Sequence, residues 1–118
     1  MKKTNILLGF LVLAVFTAGS PAADWKGLQG TYALTPEHYL DPPEHEPKDS
    51  HLRFQLEGDA ARDLYQAMKV AEQTDECTGA ALKQVGEMRC LRHAGDKGYR
   101  CNFSIDIMRQ SIGYGVAC

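Results

Sequence analysis

Three of the four histidines lie in one short acidic segment, and imidazole beside carboxylate is a donor set that suits zinc or copper. His38, His45 and His51 are separated by six and five residues, and the acids around them are Glu37, Asp41, Glu44, Glu46 and Asp49. This spacing matches no closed structural zinc site. Residues 36–51 also hold four of the five prolines. The segment is therefore expected to be an exposed arm, with metal binding by the three histidines as an alternative function.

The four cysteines, Cys77, Cys90, Cys101 and Cys118, are separated by 12, 10 and 16 residues. Zinc ligands usually come in closer pairs, and a redox motif would need C-x-x-C. Four cysteines in a small exported chain instead indicate two structural disulfides. Four cysteines allow three pairings, so the number alone does not choose among them.

A predicted hairpin favours one of these pairings. Residues 87–93 and 99–105 have the composition of strands, and a two-residue turn at Gly95-Asp96 would place Cys90 directly opposite Cys101. Directly opposite side chains are close enough for a disulfide. A turn built on Gly98 would shift this register. We therefore favour Cys90–Cys101, which leaves Cys77–Cys118.

The outward face of this hairpin carries a candidate binding surface. Arg89, His93 and Arg100 share this face with Leu91 and Asn102 in the predicted register. Residues 77–118 contain six basic and three acidic residues in a protein that is acidic as a whole. Such asymmetry can steer an acidic partner, although an ordinary charged sheet face has the same composition.

No set of residues indicates catalysis. His93 is the one histidine outside the arm, and Ser104, Ser111 and Asp106 stand in no recognised motif. The sequence contains no G-x-S-x-G, no H-E-x-x-H and no glycine loop that would hold phosphate. We therefore expect a protein that is not an enzyme and needs no cofactor.

Residues 1–23 have the three parts of a secretory signal peptide. Lys2 and Lys3 precede an apolar run over residues 6–16, and small residues lead to cleavage after Ala22 or Ala23. Removing them leaves 95 residues with 11 basic and 15 acidic side chains, a formal charge of −4. The sequence thus predicts a periplasmic or secreted protein that meets the membrane only through its uncleaved signal. This acidity disfavours nucleic acid as a partner.

The periodicity of residues 24–118 predicts a single small α+β domain. Apolar residues alternate in 51–58, as in a half-buried strand, and recur with helical spacing in 58–73, where Asp59 is the expected N-cap. Residues 74–79 are expected to form a loop. Further strands are predicted at 31–34, 80–86, 87–93, 99–105 and 111–118. The expected fold is a small antiparallel sheet with one main helix on a face, cross-linked by two disulfides.

These observations favour a non-catalytic module that binds another exported or periplasmic protein. The layout of export signal, small size and two disulfides resembles that of small periplasmic inhibitor and immunity proteins. That resemblance implies docking to a protein but assigns no residue. The alternative is a periplasmic protein that binds zinc or copper through its histidine-rich arm.

Overall fold

The computed structural model describes residues 23–116, together with Gly9 and Ala14. The predicted signal peptide therefore lies almost entirely outside the described residues. Cys118 lies outside them as well. Within the described part of the chain, no helix is both long and apolar enough to cross a membrane.

The described residues form a seven-stranded antiparallel sheet with one α-helix. The elements are β1 (Gly30–Thr35), β2 (His51–Glu57), α1 (Gly58–Ala67), β3 (Gln73–Thr74), β4 (Ala81–Val85), β5 (Met88–Arg92), a short 3-10 turn (Gly95–Lys97), β6 (Tyr99–Asp106) and β7 (Ser111–Gly113). The strand order is β1-β2-β6-β5-β4-β3. β5 and β7 pair with successive parts of β6. The α+β class predicted from the sequence is confirmed.

The helix is shorter than its periodicity suggested. It ends at Ala67 because Met68 is already extended, although the Met68 N–H still donates to the Leu64 carbonyl. Glu57 rather than Asp59 occupies the N-cap position, so that detail of the prediction is wrong. Asp59 lies in the first turn, where its carboxylate interacts favourably with the positive end of the helix dipole. Its backbone N–H donates to Gln29 Oε1.

The core is centred on the Cys90–Cys101 disulfide. Both cysteines are fully buried and directly opposite each other, with Cα atoms 4.0 Å apart. The helix covers them from one side of the sheet, where Leu56, Ala61, Tyr65 and Met68 complete the buried cluster. The predicted pairing and register of the hairpin are confirmed.

The hairpin turn differs from its prediction although the register does not. The loop runs over residues 93–98, and the His93 N–H donates to the Gly98 carbonyl. Gly98 takes a φ of +76°, which favours glycine. This longer loop has the same centre as the predicted two-residue turn, so both place the same residues opposite each other.

The second predicted disulfide falls partly outside the described residues. The described chain contains one disulfide, Cys90–Cys101, rather than the two that were expected. Cys77 is not free. Its predicted partner Cys118 is beyond the described range, so the Cys77–Cys118 pairing stays a prediction.

The C-terminal segment forms a shorter strand than expected. Residues 111–118 were predicted to be one strand, but β7 ends at Gly113 and residues 114–116 are irregular. These residues pass close to β6, because a Cβ atom on Gly115 would lie 2.5 Å from the Phe103 backbone nitrogen. Only glycine permits this approach.

We expect loss of the Cys90–Cys101 bond to destabilise the protein strongly. In the chain-entropy model a loop with a sequence separation of 11 residues is worth about 3 kcal/mol. The double variant Cys90→Ala/Cys101→Ala should lose that much free energy of unfolding, measured by urea denaturation. An unchanged urea midpoint would show that the disulfide is dispensable to the core.

Candidate functional site

The predicted hairpin surface forms one wall of a cavity on the side of the sheet away from the helix. Arg89, His93 and Arg100 all line this cavity, whose volume is about 180 Å³. Leu91 and Asn102, from the same predicted face, line it as well. The other walls are Gln55, Asp75, Thr78, Gly115 and Val116. We call this the hairpin cavity.

The positive charge of the hairpin cavity is partly neutralised by acids from other segments. Arg89 Nη2 lies 2.7 Å from Asp75 Oδ1, and Arg100 Nη2 lies 3.3 Å from Glu57 Oε1. Hydrogen bonds from Thr78, with the Arg89 charge, hold the pKa of Asp75 below its usual value. Asp75 itself is only 4% exposed. The surface is therefore less basic than the local sequence suggested, because the pairing acids come from distant positions.

Arg53 holds two loops onto the same side of the sheet. Its Nε donates to Thr35 Oγ1 at 2.7 Å, and its Nη2 donates to the carbonyl of Glu37 at 2.9 Å and, more weakly, to that of Pro36. Its Nη1 donates to the carbonyls of Tyr114 and Gly115. All five N–H donors of the guanidinium are thus engaged, and no carboxylate of the described chain pairs with it.

Arg53 is also more buried than the sequence predicted for the polar side of β2. The sequence predicted an apolar side of Leu52, Phe54 and Leu56 against the core and a solvent-facing polar side. In the structure Arg53 is 9% exposed, whereas Leu52 and Phe54 are only partly buried. The polar side is covered because the loops that bond to Arg53 lie over it.

The three arm histidines are not brought together. His51 belongs to β2 and is buried, with Nδ1 2.8 Å from Ser50 Oγ and Nε2 3.6 Å from Asp106 Oδ2. His38 Nδ1 lies 2.7 Å from Glu46 Oε1, and this hydrogen bond raises the pKa of His38. Among the described residues, the group whose ligand atoms lie within 4.8 Å of one another is Glu37, His38 and Glu46. His45 lies outside it.

The Asp106 carboxylate accepts hydrogen bonds from the turn that follows β6. Its Oδ1 accepts the backbone N–H groups of Met108 and Arg109, at 3.1 and 2.9 Å. These bonds, that from Arg109 above all, lower the pKa of Asp106. The separation of 3.6 Å from His51 exceeds a hydrogen bond. This carboxylate therefore organises the turn after β6 rather than orienting His51 as a base.

A second surface lies on the helix side of the sheet, where α1 does not reach. Cross-strand pairing aligns Tyr32, Phe54 and Phe103 in one row, and Leu34, Leu52, Ile105 and Ile112 in the next. The Phe54 and Phe103 rings stack at 5.0 Å. Tyr32, Leu34 and Ile112 are 75%, 56% and 51% exposed. We call these seven side chains the apolar rows.

Sequence reasoning missed the apolar rows because it did not establish how much of the sheet the predicted helix covers. One signal was present. The sequence predicts one helix for a sheet of several strands, and a single helix cannot cover all of one side of such a sheet. No comparable signal marked Arg53, since its partners are backbone carbonyls far away in sequence.

Comparison with known proteins supplies no relative. A scan against protein-family models, a search of curated proteins and a search of solved structures each found no match. The function must therefore be argued from the geometry of these surfaces.

We expect Arg53→Lys to destabilise the protein by at least about 2 kcal/mol, because lysine keeps the charge but cannot supply five donors in a planar fork. Urea denaturation measures the loss. Arg62→Lys is the matched control, since Arg62 is 43% exposed and its ion pairs are at the surface. Equal urea midpoints for the two variants would show that the Arg53 hydrogen bonds contribute little.

Proposed function

We propose that this protein is an exported, non-catalytic module that binds another exported or periplasmic protein through the apolar rows. One observation carries the proposal: seven apolar side chains from four strands lie side by side on one side of the sheet, and three of them, Tyr32, Leu34 and Ile112, are more than half exposed. Contiguous apolar surface of this kind usually marks an interaction site. The disulfide beneath α1 is compatible with an oxidising compartment.

The edge of the sheet adds to this surface. β1 is an edge strand with the sequence GTYALT, which contains no charge and no proline. Edge strands of monomers are usually protected by such residues. A partner that lies across the apolar rows can therefore also hydrogen-bond to the free side of β1.

Charge favours a protein partner over a membrane. The chain after residue 23 carries a formal −4, and anionic lipid surfaces repel such a protein. The disulfide-linked sheet also loses little conformational entropy when it binds a partner. We therefore expect the partner to present a complementary apolar surface without strong negative charge.

We expect the double variant Leu34→Asp/Ile112→Asp to fold but to lose its partner. Both residues are more than half exposed, so aspartate adds charge to the interface at little cost to the core. Affinity capture from periplasmic extract, with quantitative mass spectrometry, should show one protein enriched by the wild type and depleted about tenfold or more by the variant.

Leu40→Asp is the control for this experiment. Leu40 is 80% exposed but belongs to the arm rather than to the apolar rows. It should capture the same partner as the wild type. If the two variants capture it equally, the apolar rows are not the docking surface.

Divalent metal binding is a second candidate function, favoured by the grouping of Glu37, His38 and Glu46. Two carboxylates and one imidazole suit zinc or copper. Against it, Arg109 Nη1 lies 3.6 Å from Glu37 Oε1 and competes with a cation for that oxygen. His45 and His51, which were included in the sequence-based prediction, lie outside this group.

If this group binds zinc, His38→Ala should weaken binding about tenfold or more, whereas His45→Ala should leave it unchanged. Isothermal titration calorimetry with zinc measures both. Affinity should rise with pH, because the raised pKa of His38 keeps its ring protonated to higher pH and a proton competes with the metal. Equal affinities for the two variants would exclude this group as the metal site.

A further inference from the structure

The backbone of β1 bonds to β2 at every second residue. The Glu57 N–H donates to the Gln29 carbonyl at 3.1 Å, just before β1 begins. Bonded pairs in an antiparallel ladder recur at alternate residues. The register continues this alternation along β1, so the N–H and carbonyl groups of Thr31 and Ala33 are directed toward β2.

The backbone groups of Tyr32 and Leu34 are directed to the free edge of the sheet instead. A bond from the Ile107 N–H to the Ser50 carbonyl supports this phase, because it directs the even-numbered residues of β2 to β6 and the odd-numbered ones to β1. Within the described chain no strand pairs with this edge of β1. Tyr32 and Leu34 therefore each present an unpaired N–H and an unpaired carbonyl.

A cavity of about 190 Å³ lies beside β1 on the polar side of the sheet. It is lined by Thr31, Tyr32, Ala33, Tyr39, Arg53, Gln55 and Val116. None of these residues is acidic, and the donors of Arg53 are engaged by the chain itself. An anionic side chain would find no free guanidinium donor there, and a cationic one would face the guanidinium charge. The cavity, several times the volume of about 30 Å³ that a water molecule takes, therefore suits a large uncharged side chain.

We propose that the partner adds an extended segment to β1 as a further strand of the sheet, with one large uncharged side chain in this cavity. The inference rests on the proposed function, because the same segment would lie beside Tyr32 and Leu34 of the apolar rows. Successive side chains of a strand point to opposite sides of a sheet. The segment therefore carries apolar residues opposite Tyr32 and Leu34, and the residue between them, opposite Ala33, enters the cavity.

A second copy of this chain fits the edge less well. Antiparallel pairing of β1 with itself, about Tyr32 or about Ala33, would place the side chain of Thr31 or Ala33 against the cavity. Both side chains are small and would leave most of the volume of about 190 Å³ empty. The cavity therefore favours a different chain as the partner.

Exchange of backbone amide protons, followed by NMR, tests the added strand. The probe is the peptide acetyl-KVTVQVTVK-amide, whose valines supply the apolar side and whose central glutamine supplies the cavity side. In the free protein the amides of Tyr32 and Leu34 should exchange faster than those of Thr31 and Ala33. Saturating peptide should slow exchange at Tyr32 and Leu34 about tenfold or more. Unchanged exchange at both amides would overturn the proposal.

Two variants at one position separate the backbone from the side chain. Tyr32→Ala and Tyr32→Pro both remove the ring, but only proline removes the outward N–H. Since this N–H does not bond to β2, we expect both variants to fold, which circular dichroism checks. In isothermal titration calorimetry, Tyr32→Pro should bind the peptide about tenfold more weakly than Tyr32→Ala. Equal affinities would refute strand addition.

Peptides that differ only at the central residue test the cavity. The peptide with glutamine should bind the wild type about tenfold more tightly than the same peptide with alanine or glutamate. Equal binding of the alanine peptide would show that no side chain uses the cavity. A preference for glutamate would contradict its uncharged occupant. Either result would overturn the proposal.

Capture from periplasmic extract distinguishes this inference from the proposed function. If Leu34→Asp/Ile112→Asp loses the partner while Tyr32→Pro and Tyr32→Ala capture it equally, the docking surface stands and strand addition is wrong. If Leu34→Asp/Ile112→Asp keeps the partner, the proposed function is wrong. Sedimentation equilibrium should show the free protein as a monomer. A dimer with protected Tyr32 and Leu34 amides would assign the edge to a second copy and overturn the inference.

Discussion

The burial of the Cys90–Cys101 disulfide beneath α1 is the constraint on which the rest of the structure depends. The bond fixes the pairing of β5 with β6, and the helix covers it with Ala61 and Tyr65. In a chain this small the buried apolar surface is limited, so a covalent link at the centre of the core replaces part of the missing packing. The one α-helix of the described chain covers this end of the sheet. The other end of the same side is therefore apolar and partly exposed.

The opposite side of the sheet is organised by one charged residue. Arg53 bonds to backbone carbonyls of the segment after β1 and of the segment after β7, and so brings both over the polar side of β2. A guanidinium can do this because its five donors point in fixed directions and match several carbonyls at once. The result is a sheet whose polar side is buried around Arg53 and whose apolar side is partly exposed, which departs from the usual arrangement for a two-layer domain.

The two sides of the sheet therefore present surfaces of different chemistry. The apolar rows offer area without hydrogen-bonding groups, which suits the core of a protein interface. The hairpin cavity is lined mainly by polar and charged side chains, including the Arg89–Asp75 ion pair.

The sequence by itself determined the fold class, the order of most elements and the hairpin register, because these depend on local periodicity and on the symmetry of residues about a turn. Cys90 and Cys101 are opposite each other whether the loop has two residues or six. What only the tertiary structure decided was which faces are covered. The alternation of β2 predicts that Arg53 faces solvent. Its hydrogen-bond partners, however, lie 16 to 62 positions away in the chain. Likewise, the strand patterns that contain Leu34 and Ile112 do not show that these apolar side chains are more than half exposed, because coverage depends on long-range packing that no local pattern records.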